Sequence, residues 1–212
     1  MTRTLIITLL LALPFWLQAQ ELELTLTSED GPVSGAVVHL DGGVSPSPVA
    51  AEMSQMDRQF HPRVLVIPAN STVDFPNRDN TQHHVYSFSP AKTFELELYT
   101  NRPDAPVVFD QPGIVELGCN IHDHMQAFVV VVNTTAYGKT DHKGQITLTV
   151  PTPANVGDTL DINIWHPRLP DNTRPLRKTV NPGMPVRVTL ALTPEPRADS
   201  SLDMLQKRFR DI

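Results

Sequence analysis

The only cysteine of this chain lies within Gly118, Cys119, Asn120, Ile121, His122, Asp123, His124, Met125, and the apolar run Ala127 to Val132 follows at once. No other stretch restricts the fold as much. A thiol, two imidazoles and a thioether placed so close together need a tight turn, and the run behind them has the continuous apolar character of a strand buried on both faces. Cys119, His122 and Met125 recur at every third position, so a turn curling about one point could aim all three side chains inward. Thiolate and thioether favour Cu(I) and imidazole tolerates both oxidation states, which makes the set suited to copper. The stretch reads as a metal loop delivered by one strand, Ile114 to Leu117, and left by another, Val129 to Val132.

The start of the chain bears on what that cysteine can do. Met1, Thr2 and Arg3 precede an apolar run from Leu5 to Leu17, followed by Gln18, Ala19 and Gln20. This is the pattern of a secretory signal peptide over 1–19, cut after Ala19. The run is shorter than the ~20 residues that span a bilayer. The expectation is a periplasmic protein with no transmembrane segment after cleavage. In an oxidising compartment one cysteine cannot close an internal disulfide, so Cys119 is free, intermolecular or bound to something. A formal charge of −6 argues against nucleic acid, whose phosphates call for a basic footprint.

Elsewhere the chain reads as all-β. Leu22, Leu24 and Leu26 alternate with polar residues, Gly31 and Pro32 turn, and Ala36 to Leu40 returns, giving an expected hairpin over 21–41. A hairpin alone is marginal and needs covering strands. Gly42 to Ala51 is a proline-punctuated loop. From Met53 short apolar beats follow at Phe60, Val64 to Ile67, and Val73 and Phe75; the polar loop Pro76 to Gln82 then ends on His83 and His84, ahead of a strand Val85 to Phe88. Strands are expected again at Phe94 to Leu98 and Val107 to Phe109. Beyond Asn133, Ile146 to Val150, Leu160 to Ile164 and Val186 to Leu192 alternate without any ligand cluster. The tail, 193–212, has helical spacing at Leu202, Leu205, Phe209 and Ile212, with Ser200 placed to cap a short helix.

One loop cannot easily supply a whole copper site. A blue-copper centre takes two histidines and a cysteine in a plane, with a weak axial methionine, so a further histidine must come from elsewhere. His83 and His84 are the candidates. His124 is off the three-residue spacing and reads as exposed; His39, His61, His142 and His166 are scattered and read as surface or hydrogen-bonded, and Trp165 as core. Zinc would waste the thioether and draw on Asp123 instead. A nucleophilic Cys119 with a base on the same tight turn would leave little room for substrate. No enzymatic activity is therefore expected.

The segment from about Phe60 to Val132 resembles the cupredoxins, the plastocyanin and amicyanin family, with amicyanin's spacing of Cys, two residues, His, two residues, Met at Cys119, His122 and Met125. The family's first histidine follows an asparagine-led loop and heads a strand; here Asn77 leads to His83, His84, Val85. The resemblance implies a Greek-key β-sandwich binding one type 1 copper through His83, Cys119, His122 and Met125. His84 occupies the place where the family has asparagine, and is the alternative first ligand. It further implies outer-sphere electron transfer through His122 to a periplasmic redox protein, a cytochrome or a dehydrogenase, with copper binding or delivery as the alternative. Residues 21–41 together with Lys139 to Pro151, which include a Thr, Asp, two residues, Gly turn, resemble the carboxypeptidase-regulatory-like sandwich. That implies a discontinuous second β-sandwich from 20–52 and 134–192, with the cupredoxin domain, 53–133, inserted into it.

Overall fold

The computed structural model describes residues 20–150 and 159–194. The expected signal peptide and the expected C-terminal helix lie outside them. The described residues hold eighteen strands and no helix, so the protein is all-β. The strands are β1 (Gln20–Ser28), β2 (Gly31–Pro32), β3 (Val37–Leu40), β4 (Ala50–Glu52), β5 (Ser54–Met56), β6 (Gln59–His61), β7 (Val64–Pro68), β8 (Ser71–Asp74) and β9 (His83–Ser89). They continue with β10 (Lys92–Tyr99), β11 (Val107–Phe109), β12 (Gly113–Cys119), β13 (Gln126–Val132), β14 (Tyr137–Lys139), β15 (Gln145–Val150), β16 (Leu160–Trp165), β17 (Leu176–Val180) and β18 (Val186–Thr189).

An inner sandwich is built from a sheet in the order β10-β9-β12-β13-β7 and a smaller one in the order β11-β8-β4, with the hairpin β5-β6 beside them. Its core includes Met53, Phe75, Val85, Phe109, Val115, Leu117, Cys119 and Met125. β4 lies on the flanking side of the expected division at residue 53, yet pairs in parallel with β8. A flanking sandwich faces the sheet β15-β1-β18, extended by β2, against β14-β3-β16-β17. Between these two sheets Leu22, Leu24 and Leu26 meet Val38, Leu40, Ile162 and Ile164.

The hairpin expected over 21–41 is not formed. β1 pairs locally only with β2, and its long partners are β15, antiparallel, and β18, parallel. β3 crosses to the opposite sheet, between β14 and β16. Alternation in β1 is satisfied equally by a partner across the core as by one alongside, and the crossover is secured by Thr140. Its buried hydroxyl accepts the Ala36 N–H at 3.0 Å and donates to the Val33 carbonyl at 2.6 Å.

The two sandwiches share a third apolar layer. β13 is buried from Ala127 through Val132: Ala127, Val129 and Val131 point into the inner core, while Phe128, Val130 and Val132 point the other way. On that outer face they meet Val37 of β3 and Trp165 of β16, with Phe128 and Trp165 edge to face at 5.0 Å. This accounts for the continuous apolar run, since a period-2 strand covered on both sides has no polar face to show. Lys139 of β14 adds a polar tie by donating to the Val64 carbonyl of β7. No helix among the described residues is long and apolar enough to cross a membrane.

Candidate metal centre

β9 and β12 are antiparallel neighbours, with Cys119 opposite Val85 and Gly118 opposite Tyr86. The first residues of β9 therefore lie beside the last of β12. Successive side chains of a strand point to opposite faces, and in β9 the inward set is His83, Val85 and Ser87, all buried. His84, Tyr86 and Phe88 take the other face, where the His84 Nε2 meets Glu95 Oε1 at 2.8 Å. A side chain at Gly118 would stand 2.9 Å from the Tyr86 ring, so the glycine before Cys119 lets the neighbouring strand close over it.

The loop after Cys119 is made of two consecutive turns. The His122 N–H reaches the Cys119 carbonyl at 3.4 Å, and the Met125 N–H reaches that of His122 at 2.9 Å. Each four-residue turn carries the chain three positions on, which converts the sequence spacing of Cys119, His122 and Met125 into a curl. Cys119 and Met125 are buried in the inner core, whereas His122 is half-buried and Asp123 and His124 are exposed. Partial burial, and then the nearby His83, Arg58 and His124, hold the His122 imidazole below its ordinary pKa. That favours the neutral ring a metal requires.

His83, Cys119 and His122 come together with their ligating atoms within 4.8 Å of one another. Both Nδ1 atoms stand 3.7 Å from the Cys119 sulfur. A metal about 2.0 Å from nitrogen and about 2.3 Å from sulfur sets the two atoms about 3.7 Å apart at a trigonal angle and about 3.5 Å apart at a tetrahedral one. Both nitrogen–sulfur separations therefore fit donors that share one ion. Two imidazoles, a thiolate and a buried thioether nearby are the donor set of type 1 copper, and the site is suited to it. Asp123 and His84 do not join the group, so nothing in it replaces the thioether with the carboxylate that zinc would prefer.

No family model and no curated protein matches the chain. Among solved structures, a Cu-containing nitrite reductase from Thermus scotoductus SA-01 is 23% identical with a TM-score of 0.37, over 44% of this chain and 24% of that one. This chain thus spans about a quarter of that reductase. A purple cupredoxin from Nitrosopumilus maritimus is 23% identical with a TM-score of 0.32, over 39% of this chain and 99% of the other. A mutant amicyanin in its reduced Cu(I) form is 15% identical with a TM-score of 0.36, over 45% and 98%.

Around the ligand group lies a polar frame, of which the sequence points only to Asn77. Asn77 bridges by its Nδ2 to the Thr81 carbonyl at 2.7 Å and to that of Tyr99 at 3.2 Å, and its Oδ1 accepts the Asp79 N–H at 2.9 Å. Tyr99 lies opposite His83 in register and donates to Gln55 Oε1 at 2.7 Å and the Phe75 carbonyl at 2.8 Å. Burial pushes its phenol pKa well up, so it stays a neutral donor. Asp79 Oδ2 lies 2.8 Å from His83 Nε2, and the same carboxylate takes the Asp57 and Arg58 amides at 2.7 and 3.0 Å. Burial opposes its ionisation, but the Arg58 amide, the His83 ring and the Asp57 amide outweigh burial and hold its pKa below the usual carboxylate value. The one sequence signal for Asp79 is a carboxylate four residues ahead of a candidate ligand.

The remaining histidines sit apart from the group. His39 Nδ1 lies 3.0 Å from the Leu40 carbonyl, His61 Nε2 lies 3.2 Å from that of Met56, and His166 Nδ1 accepts the Arg168 N–H at 3.2 Å. Trp165 is core.

Proposed function

We propose that this protein is a periplasmic one-electron carrier that holds a single type 1 copper through His83, Cys119 and His122, with Met125 as a weak axial ligand. The observation that carries the reading is the pair of imidazole Nδ1 atoms each 3.7 Å from the Cys119 sulfur. When bound, copper supplies the Cu(I)/Cu(II) couple. His83 is fixed by the first residue of β9 and is fully buried, and Cys119 is fixed by the last residue of β12. A donor set held by paired strands and two hydrogen-bonded turns needs little rearrangement between oxidation states, which is what outer-sphere transfer requires. His122 is the half-buried member, and exposed Ile121, Asp123 and His124 surround it. That edge is where a periplasmic redox protein, a cytochrome or a dehydrogenase, would receive or give the electron.

The same reading makes the copper domain, 53–133 with β4 attached, an insertion in a carboxypeptidase-regulatory-like sandwich from 20–52 and 134–192. Export rests on the pattern of residues 1–19. We read the protein as a carrier and not an enzyme, because His83, Cys119 and Met125 are buried and His122 is the half-buried member of the ligand group.

Voltammetry of the copper-loaded protein, run beside copper transfer to a competing chelator, tests this. A reversible one-electron wave with slow loss of metal is the expected result. Rapid surrender of copper without a reversible wave would instead identify a delivery protein.

A further inference from the structure

The hairpin β5-β6 turns at Asp57 and Arg58, and both have positive φ, 55° and 56°. Both central residues of a two-residue hairpin turn of this kind take positive φ, which costs more where neither is glycine. One carboxylate caps both of their amides. Asp79 Oδ1 accepts the Asp57 N–H and Oδ2 accepts that of Arg58, at 2.7 and 3.0 Å. Oδ2 also faces His83 Nε2 at 2.8 Å. Asp79 is itself positioned by Asn77, whose Oδ1 takes its N–H, and Asn77 is bonded through its own N–H to the Asn101 carbonyl at 2.7 Å.

We propose that Asp79 is the positioning residue of the metal centre, a fixed anion that sets the tautomer and donor strength of His83. The inference rests on the copper reading given above. A carboxylate at Nε2 places the ring proton there and leaves the Nδ1 lone pair facing the Cys119 sulfur. The three donors converging on Asp79 are what fixes its identity. A carboxylate accepts at both oxygens, whereas an asparagine has one acceptor oxygen and an NH2 that must take the place of Oδ1, against the Asp57 N–H, or of Oδ2, against both the Arg58 N–H and His83 Nε2. At either place it sets donor against donor in the turn. At Oδ2 it also donates to His83 Nε2 and drives the ring proton to Nδ1, the atom that must bind metal. A negative charge at this distance also favours the more positive oxidation state, so Asp79 holds the reduction potential down.

The test compares the wild-type full chain with Asp79→Asn and, as a control for charge alone, Asp110→Asn, whose carboxylate pairs with Lys92 away from the site. Nitrogen NMR of the metal-free wild type should show His83 protonated at Nε2, and Asp79→Asn should shift it toward Nδ1. Copper affinity should fall roughly 10–100-fold in Asp79→Asn, the range expected on losing the partner of a ligating histidine, and the potential should rise; Asp110→Asn should change neither. A wild-type His83 protonated at Nδ1 overturns the proposal. So does an Asp79→Asn protein whose copper affinity and potential match wild type, or which loses only metal-free stability, while the wild type keeps its thiolate-to-copper band; the copper reading then stands. A wild type with no such band overturns both.

Discussion

At the scale of single residues, Cys119 divides structure from chemistry most sharply. Cys119→Ser keeps a small side chain in a buried position and should cost about 1–3 kcal/mol for burying a hydroxyl. It removes the thiolate altogether. A folded β protein that binds Cu(II) without an intense charge-transfer band is the expected result, and a retained blue colour would remove Cys119 from the ligand set. Gly144 is the opposite case, essential to the fold and remote from the site. It has φ +73°, and a Cβ there would stand 2.2 Å from the Leu26 carbonyl, a backbone atom that cannot step aside. Gly144→Ala should lose more than about 2 kcal/mol in denaturant unfolding, with the copper spectrum of the surviving folded fraction unchanged. Cys119 and Gly144 could be picked out by their chemistry and by their place in a turn. Asp79 could not, because its importance comes from two amides of a distant hairpin that only the folded chain brings to it.

At the scale of elements, β9 shows where local sequence stops deciding structure. One face carries His83, Val85 and Ser87 and the other His84, Tyr86 and Phe88. By apolarity alone the second face looks more like core, yet Phe88 is 79% exposed and His83 is fully buried. Pairing with β12 decides the matter, and pairing is not written locally. His83→Ala should therefore abolish tight copper binding, whereas His84→Ala should retain it, as measured by titration with Cu(II); the reverse outcome would move the ligand by one residue. β13 was legible for the converse reason, since its apolar run needs no choice of face. β1 and β3 were misjoined because alternating leucines specify a buried face without specifying which sheet lies beside the strand.

At the scale of the molecule, stability depends on three apolar layers, of which the middle one joins the sandwiches. Phe128 is fully buried there against Trp165. Phe128→Ala should cost about 3–5 kcal/mol and separate thermal unfolding into two steps, whereas wild type should unfold in one; a single unshifted transition would show that the layer does not couple them. Acid should weaken the whole fold. The carboxyls of Asp141, held down chiefly by the Gln145 amide, of Asp161, by the Thr179 hydroxyl, and of Asp171, by the Thr173 hydroxyl, all lie below their ordinary pKa. Depressed folded values mean that their contribution is complete above the unfolded carboxylate value of about 3.9 and lost as pH falls through the folded ones. The melting temperature of the metal-free protein should hold near neutrality and drop below about pH 4; a rise on acidification would contradict these assignments.

Everything functional turns on whether the Cys119 sulfur lies in the plane of a bound copper with His83 and His122. The most direct measurement is the visible and electron paramagnetic resonance spectrum of the purified protein after one equivalent of Cu(II). An intense thiolate-to-copper charge-transfer band with narrow copper hyperfine splitting is the expected result, whereas a pale, ordinary Cu(II) spectrum would contradict the type 1 site.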